Sequence, residues 1–184
     1  MPRLPMATRE QFPEDLTYVW DAVAKDGTDG VPPEIFRQMG NNPILLRAYL
    51  RLGNALWRHC GFDAETRELV ILRTGILQNS AYEWHQHVRI GRAAGLDDAR
   101  INALHHWRES DLFTEQQRAI FAYVDALSAT DHPLDDVHRA LTEHLGPDAI
   151  VGLNLLTAFY IMTGKFLGAM EVQPETEFVG WQLT

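Results

Sequence analysis

TRELVILRTGILQNSAYEWHQH, residues 66–87, reads as two helices separated by a short break. Leu69, Leu72 and Ile76 recur at helical spacing on one side of the first helix, and Asp63 just ahead of it is a good N-cap. Gln78-Asn79-Ser80 interrupts the pattern. Ser80 can cap a second helix over 81–94, which Gly95 closes as a C-cap. On that second helix Glu83 and His87 are four residues apart and share a face, with Ser80 one turn earlier on the same side. Glu68 lies on the preceding helix, and an antiparallel neighbour brings it alongside the Glu83–His87 stripe. His85 is two residues from both and falls on a different face. A carboxylate beside an imidazole is a natural proton-transfer pair, because the carboxylate orients the ring, raises its pKa and stabilises its cation. Tyr82 and Trp84 offer a hydroxyl and an apolar wall. The bland alternative is a surface ion pair or a satisfied core contact. Glu83, His87, Glu68 and His85 are also nitrogen and oxygen ligands of the kind zinc accepts. His85 and His87 do not share one helix face and no HExxH motif is present, so no metal is expected.

Outward from this pair the same periodicity continues. Helices are predicted over 13–24, 32–39 and 43–58, the last with Leu46, Tyr49, Leu50, Gly53 and Trp57 at helical spacing, and over 97–107 behind Asp97. Further helices follow over 114–129, 133–145 and 147–170, with Gly146 and Pro147 marking the last boundary. No run alternates apolar and polar residues as a half-buried strand would. Residues 171–184 are irregular, and Phe178, Val179 and Trp181 suggest that they dock on a surface. The adjacent His105 and His106 end a helix, where solvation near the negative helix end is the expected account.

Composition narrows the classes. The chain has 184 residues and a formal net charge of −9, so a nucleic-acid partner is not expected. A single cysteine, Cys60, excludes an intrachain disulfide. The N-terminus lacks the apolar core of a signal peptide. The most apolar stretch, 149–170, is broken by Asn154, Lys165 and several glycines, so neither secretion nor membrane insertion is expected and a cytoplasmic place is.

Residues 66–87, with the Ala93-Ala94-Gly95-Leu96 helix end and the Asp97-Asp98-Ala99-Arg100-Ile101 stretch that follows, resemble the core of the carboxymuconolactone decarboxylase / alkylhydroperoxidase-D-like family. The resemblance covers 47–104, with further support from 149–172 through Phe159-Tyr160 and Lys165-Phe166-Leu167. In the alkylhydroperoxidase-D branch a Glu is followed by Cys-x-x-Cys-x-x-x-His. Laid on this chain without gaps, Glu68 takes the Glu position, Ser80 and Glu83 take the cysteine positions, and His87 takes the His position. A serine and a glutamate cannot attack a peroxide and resolve a sulfenic acid, and Cys60 lies ahead of the motif with no partner thiol. The decarboxylase branch is closer at the reactive helix, where it also carries Glu and His four apart.

The resemblance implies an all-α, alkylhydroperoxidase-D-like helical bundle in one domain. It implies a homo-oligomer, from dimer to trimer to hexamer, with exposed apolar residues on the first and last helices compatible with such contacts. It also implies cofactor-free acid–base chemistry on a small carboxylated or lactone-type molecule, decarboxylation being the leading case. His87 would give or take the proton, Glu83 would orient and charge it, and Glu68 would be a second acid–base group or a pKa tuner. Tyr82, Trp84, His85 and Ser80 would shape the pocket or bind substrate. The rival readings are a peroxidase-related oxidoreductase working without the cysteine pair, and a non-catalytic small-molecule-binding protein.

Overall fold

The computed structural model describes residues 2–130 and 135–183. Its helices are α1 (Thr17–Val23), α2 (Glu34–Met39), α3 (Pro43–His59), α4 (Ala64–Leu77), α5 (Ala81–Ala94), α6 (Asp98–Ala103), α7 (Glu115–Ala129), α8 (Asp135–Thr142) and α9 (Pro147–Met170). No strand occurs among the described residues, only an isolated bridge between Thr28 and Val31. The chain is an all-α bundle built around α4.

Why α4 is central follows from its composition. The eight residues from Glu68 to Gly75 are all buried, so this helix is covered on every side. α5, α7 and α9 pack around it. Its polar residues survive burial because each has partners. The Arg73 guanidinium donates to Asp125 at 2.7 Å and to the Leu104 carbonyl at 2.9 Å. Thr74 donates back to the Val70 carbonyl. Asp125 also accepts from the Trp107 indole, so α4, α7 and the 3₁₀ turn Leu104–Glu109 meet at one carboxylate.

The helix ends follow the caps read from sequence. Asp63 accepts from the Thr66 amide, Ser80 from Glu83, and Asp97 from Arg100. Thr114 and Gln117 cap α7 reciprocally. Gly95 adopts φ 110°, the left-handed conformation that ends α5.

Three expected elements differ. The helix over 13–24 is split into a 3₁₀ turn, α1 and a second 3₁₀ turn. The helix over 97–107 ends at Ala103 and tightens into the 3₁₀ turn, kinked at His106 (φ −134°, ψ 44°). Helix 32–39 starts two residues late, because Pro33 is the extended N-cap. The expected start of the eighth helix at Pro133 lies outside the described residues.

α9 is long and apolar enough to span a bilayer by length and composition, and half of it is buried inside the bundle. Its small residues allow close approach. A Cβ at Gly152 would overlap the Cys60 carbonyl at the end of α3. Gly152→Ala is therefore expected to destabilise the fold by about 2 kcal/mol, seen as a lower urea midpoint. An unchanged midpoint would show that this helix contact can relax at no cost. Of the exposed large apolar residues, Ile44, Leu45 and Leu52 lie on α3 and Val151, Leu155 and Met162 on α9, while Leu4, Val31, Leu112 and Val179 lie between or beyond helices and α1 exposes only Tyr18. The first helix thus does not carry the apolar surface expected of it.

The tail after α9 docks as its aromatics suggested. The Trp84 indole donates to the Gly180 carbonyl at 2.8 Å, and the Trp84 and Trp181 rings pack 5.7 Å apart. Asn102 exchanges two hydrogen bonds with Leu183. His105 departs from the surface expectation. It is half-buried edge-on to Trp84, and burial holds its pKa below the usual imidazole range, while His106 is exposed.

Candidate functional site

Glu68, His87 and Glu83 converge. α4 and α5 are joined by three residues and lie side by side, with glycine at two points of their contact. A Cβ built at Gly75 would stand 3.6 Å from Glu83 Cβ, and one at Gly91 would stand 3.7 Å from Glu68 Cβ. Close contact of the two helices brings Glu68 Oε2 to 2.6 Å from His87 Nδ1. His87 Nε2 lies 3.5 Å from Glu83 Oε2. Glu68 is fully buried, and His87 and Glu83 are nearly so.

A third charge stabilises the buried carboxylate. Arg67 Nε donates to Glu68 Oε1 at 3.0 Å. The same guanidinium lies 4.4 Å from the centre of the Trp57 ring, and its Nη1 donates to the Trp57 carbonyl. The Trp57 indole N–H donates to the Tyr160 hydroxyl at 2.9 Å, and Tyr160 meets the His87 ring edge-on with centroids 5.1 Å apart.

These contacts set the proton positions. Burial pulls the His87 pKa down, but Glu68, by charge and by hydrogen bond, outweighs it with help from Glu83, and the net shift is upward. His87 is thereby held as a cation against Glu68. Glu83 has no such close partner. Burial pushes its carboxyl up to about 7, His87 pulls it back, and Glu68 adds to the rise. Near neutral pH the neutral acid is therefore a substantial form of Glu83.

The two carboxylates differ in their contact with His87, at 2.6 Å for Glu68 and 3.5 Å for Glu83. Glu68, buried behind the ring, makes the short hydrogen bond that orients and charges His87. Glu83 makes the longer contact and stands, with His87, in the wall of a cleft of about 920 Å³. Tyr82 also lines this cleft, though its hydroxyl is spent, donating to Glu175 in the tail at 2.6 Å. Ser80 is buried as the N-cap of α5. Trp84 and His85 are not brought to the cleft. Trp84 points into the core and the tail, and His85 binds Thr176 and the Val179 amide.

Sequence reasoning missed several cleft residues. Trp57 reads from sequence only as a helical apolar position, and Arg67 carries no role there. Tyr49 stacks on Phe159 with centroids 4.6 Å apart, and Arg47, Arg51 and Arg89 line the cleft with no ion-pair partner among the described residues. The signal available was the i, i+4 spacing of Arg47 and Arg51, a like-charge pair that a helix tolerates at a cost. As for metal binding, no group of three His, Cys, Asp or Glu side chains among the described residues is arranged to hold an ion.

The fold and this buried carboxylate–imidazole–carboxylate array define an alkylhydroperoxidase-D-like protein without the cysteine pair. Over residues 43–126 the chain matches the model of the carboxymuconolactone decarboxylase family. It is 28% identical over 86 residues to the uncharacterised protein YnjA of Escherichia coli (strain K12), a match covering 46% of this chain and 47% of that protein. The match thus spans about half the length of that relative. A peroxidase-related protein with an alkylhydroperoxidase AhpD core from Ralstonia eutropha JMP134 superposes with a TM-score of 0.83 at 19% identity, covering 99% of this chain and 97% of that one. The debrominase Bmp8, in a complex with 2,3,4-tribromopyrrole, superposes with a TM-score of 0.80 at 18% identity, covering 96% and 95%. At these identities the two structures speak for the fold.

Proposed function

We propose that this protein is a cofactor-free acid–base enzyme, a lyase that decarboxylates a small carboxylated or lactone-type substrate in the cleft above Glu83 and His87. The observation that carries this reading is the Glu68–His87–Glu83 array, with His87 and Glu83 in the wall of a cleft large enough for a small molecule. The three arginines of the cleft wall favour an anionic substrate in a protein whose net charge is otherwise negative. Protonated Glu83 delivers the proton, and the His87 cation holds the electrostatic balance while Glu83 is briefly a carboxylate. The exposed apolar strips on α3 and α9 support assembly into a homo-oligomer, and a thiol buried as Cys60 is suits a reducing, cytoplasmic setting.

A thiol peroxidase mechanism is disfavoured by the same geometry. Cys60 is 1% exposed and packed in the core, away from any second thiol. The test is a paired assay on the wild type and Cys60→Ser. One arm offers β-keto acids and carboxylated lactones and follows carbon dioxide release. The other offers hydroperoxide with a thiol reductant. Carbon dioxide release that is equal in both proteins is expected. Peroxide turnover that disappears in Cys60→Ser would overturn the reading in favour of redox chemistry.

A further inference from the structure

Of the tyrosines that line the cleft, Tyr82 and Tyr160 are buried and Tyr49 is half-buried, and their hydroxyl protons have different fates. Thr163 donates to the Phe159 carbonyl, so in the 2.9 Å contact between Tyr49 and Thr163 the phenol is the donor. Tyr82 donates to Glu175. Tyr160 is 6% exposed and accepts from the Trp57 indole, which can only donate. Its own proton has no acceptor among the described residues. A buried hydroxyl that accepts one strong bond and has a proton to give is incomplete, and the cleft beside His87 is where its acceptor can arrive.

We propose that Tyr160 is the oxyanion-binding group of this cleft, donating its O–H to the oxygen on which negative charge builds during the reaction. The assignment rests on the acid–base reading above and adds to it the electrophile that the carboxylates cannot supply. In a β-keto acid the bond between the α-carbon and the carboxylate breaks, and its electron pair becomes the carbon–carbon double bond of an enolate. The former carbonyl pair moves onto oxygen, and carbon dioxide leaves. Tyr160 keeps its proton and hydrogen-bonds that oxygen. Protonated Glu83 then delivers its proton to the α-carbon, which restores the ketone and leaves Glu83 as a carboxylate for solvent to reprotonate. The substrate class is therefore an acid whose carbonyl carbon is separated from the departing carboxylate by a single carbon.

Two features suit Tyr160 to this role. Burial, followed by the charge on Glu83, holds its pKa well above that of a free phenol, so it remains a donor throughout the working pH range. The Trp57 N–H polarises the phenol and fixes its oxygen, which makes Trp57 a positioning residue.

The test needs no substrate. 4-Nitrophenolate mimics an enolate, and 4-nitroanisole has the same shape without the charge. Both are titrated against wild type, Tyr160→Phe and Trp57→Phe, with the absorbance of the bound phenolate read across pH. Wild type is expected to prefer the phenolate and to lower its apparent pKa. Tyr160→Phe should weaken phenolate binding by about 10- to 100-fold and anisole binding hardly at all. Trp57→Phe should reduce the phenolate preference by a smaller factor. Unchanged phenolate affinity in Tyr160→Phe, an equal loss for both probes, or no phenolate binding by wild type would each overturn the assignment. Glu83→Gln separates the two readings, since it lowers turnover about 10³-fold in the acid–base account and retains phenolate binding in this one.

Discussion

Glu83→Gln is expected to lower turnover by about 10³-fold and, in the same protein, to raise stability at alkaline pH. The two effects have one cause. Burial pushes this carboxyl from 4.5 up to about 7, so the folded protein favours its neutral form. A group with a raised folded pKa contributes stability that is fully present below its unfolded value and is lost as pH rises through the folded one. For Glu83 the loss runs from about pH 4.5 to just above 7 and amounts to about 3 kcal/mol. His87 adds a loss of the same sign above its unfolded value, because its folded pKa is also raised. Glutamine keeps the size of the neutral acid and cannot ionise. Urea midpoints of wild type and variant should therefore coincide near pH 4.5 and diverge by pH 8.5, with the glutamine form ahead. The pH–rate profile of the residual activity should also lose its limb near 7. Parallel stability profiles would show that Glu83 ionises as freely as a surface acid and is not the proton donor.

Removing Glu68 should do more damage to the fold. Its carboxylate is fully buried between Arg67 at 3.0 Å and His87 at 2.6 Å. Glu68→Ala leaves a nearly buried guanidinium without its acceptor and an imidazole without the charge that holds its proton. The expected cost is about 3–5 kcal/mol, a fall in Tm of roughly 10 °C for a chain of this length. Glu68→Gln separates packing from charge. The amide oxygen can still accept from His87 Nδ1 while the amide NH2 meets the Arg67 Nε–H, so the loss of stability should be smaller than in Glu68→Ala but not absent, and the His87 pKa falls. An NMR titration of the imidazole reads that fall directly, and turnover should drop with it. A His87 pKa that does not move in Glu68→Gln would transfer the orienting role back to Glu83.

The fold was more legible than the site. Caps at Asp63, Ser80 and Asp97, and Gly95 after α5, are local chemistry, and local chemistry survives the passage from sequence to structure. Where proline or a tightened last turn decides the boundary, as at Pro33 and after Ala103, periodicity overran the helix by a few residues. The convergence of Glu68 with the α5 stripe was readable because a three-residue break forces the two helices together. The unequal contacts of Glu68 and Glu83 with His87 were not, since they depend on how the ring is turned between the two helices. Trp84 follows Glu83 in sequence, and 100° of helical rotation carries it out of the cleft and into the core. The arrival of Trp57 and Tyr160 at His87 depends on how α3 and α9 cross α4 and α5, which no spacing within one helix encodes.

One side chain joins the two halves of this site. Arg67 offers its edge to Glu68 and its face to Trp57, so the residue that steadies the proton machinery also steadies the ring behind Tyr160. Lysine can supply the charge and not the plane. Substitutions at Arg67 are therefore epistatic with those at both Glu68 and Trp57. A lineage drifting at that position gives up both halves together, and recovers neither until the planar cation returns.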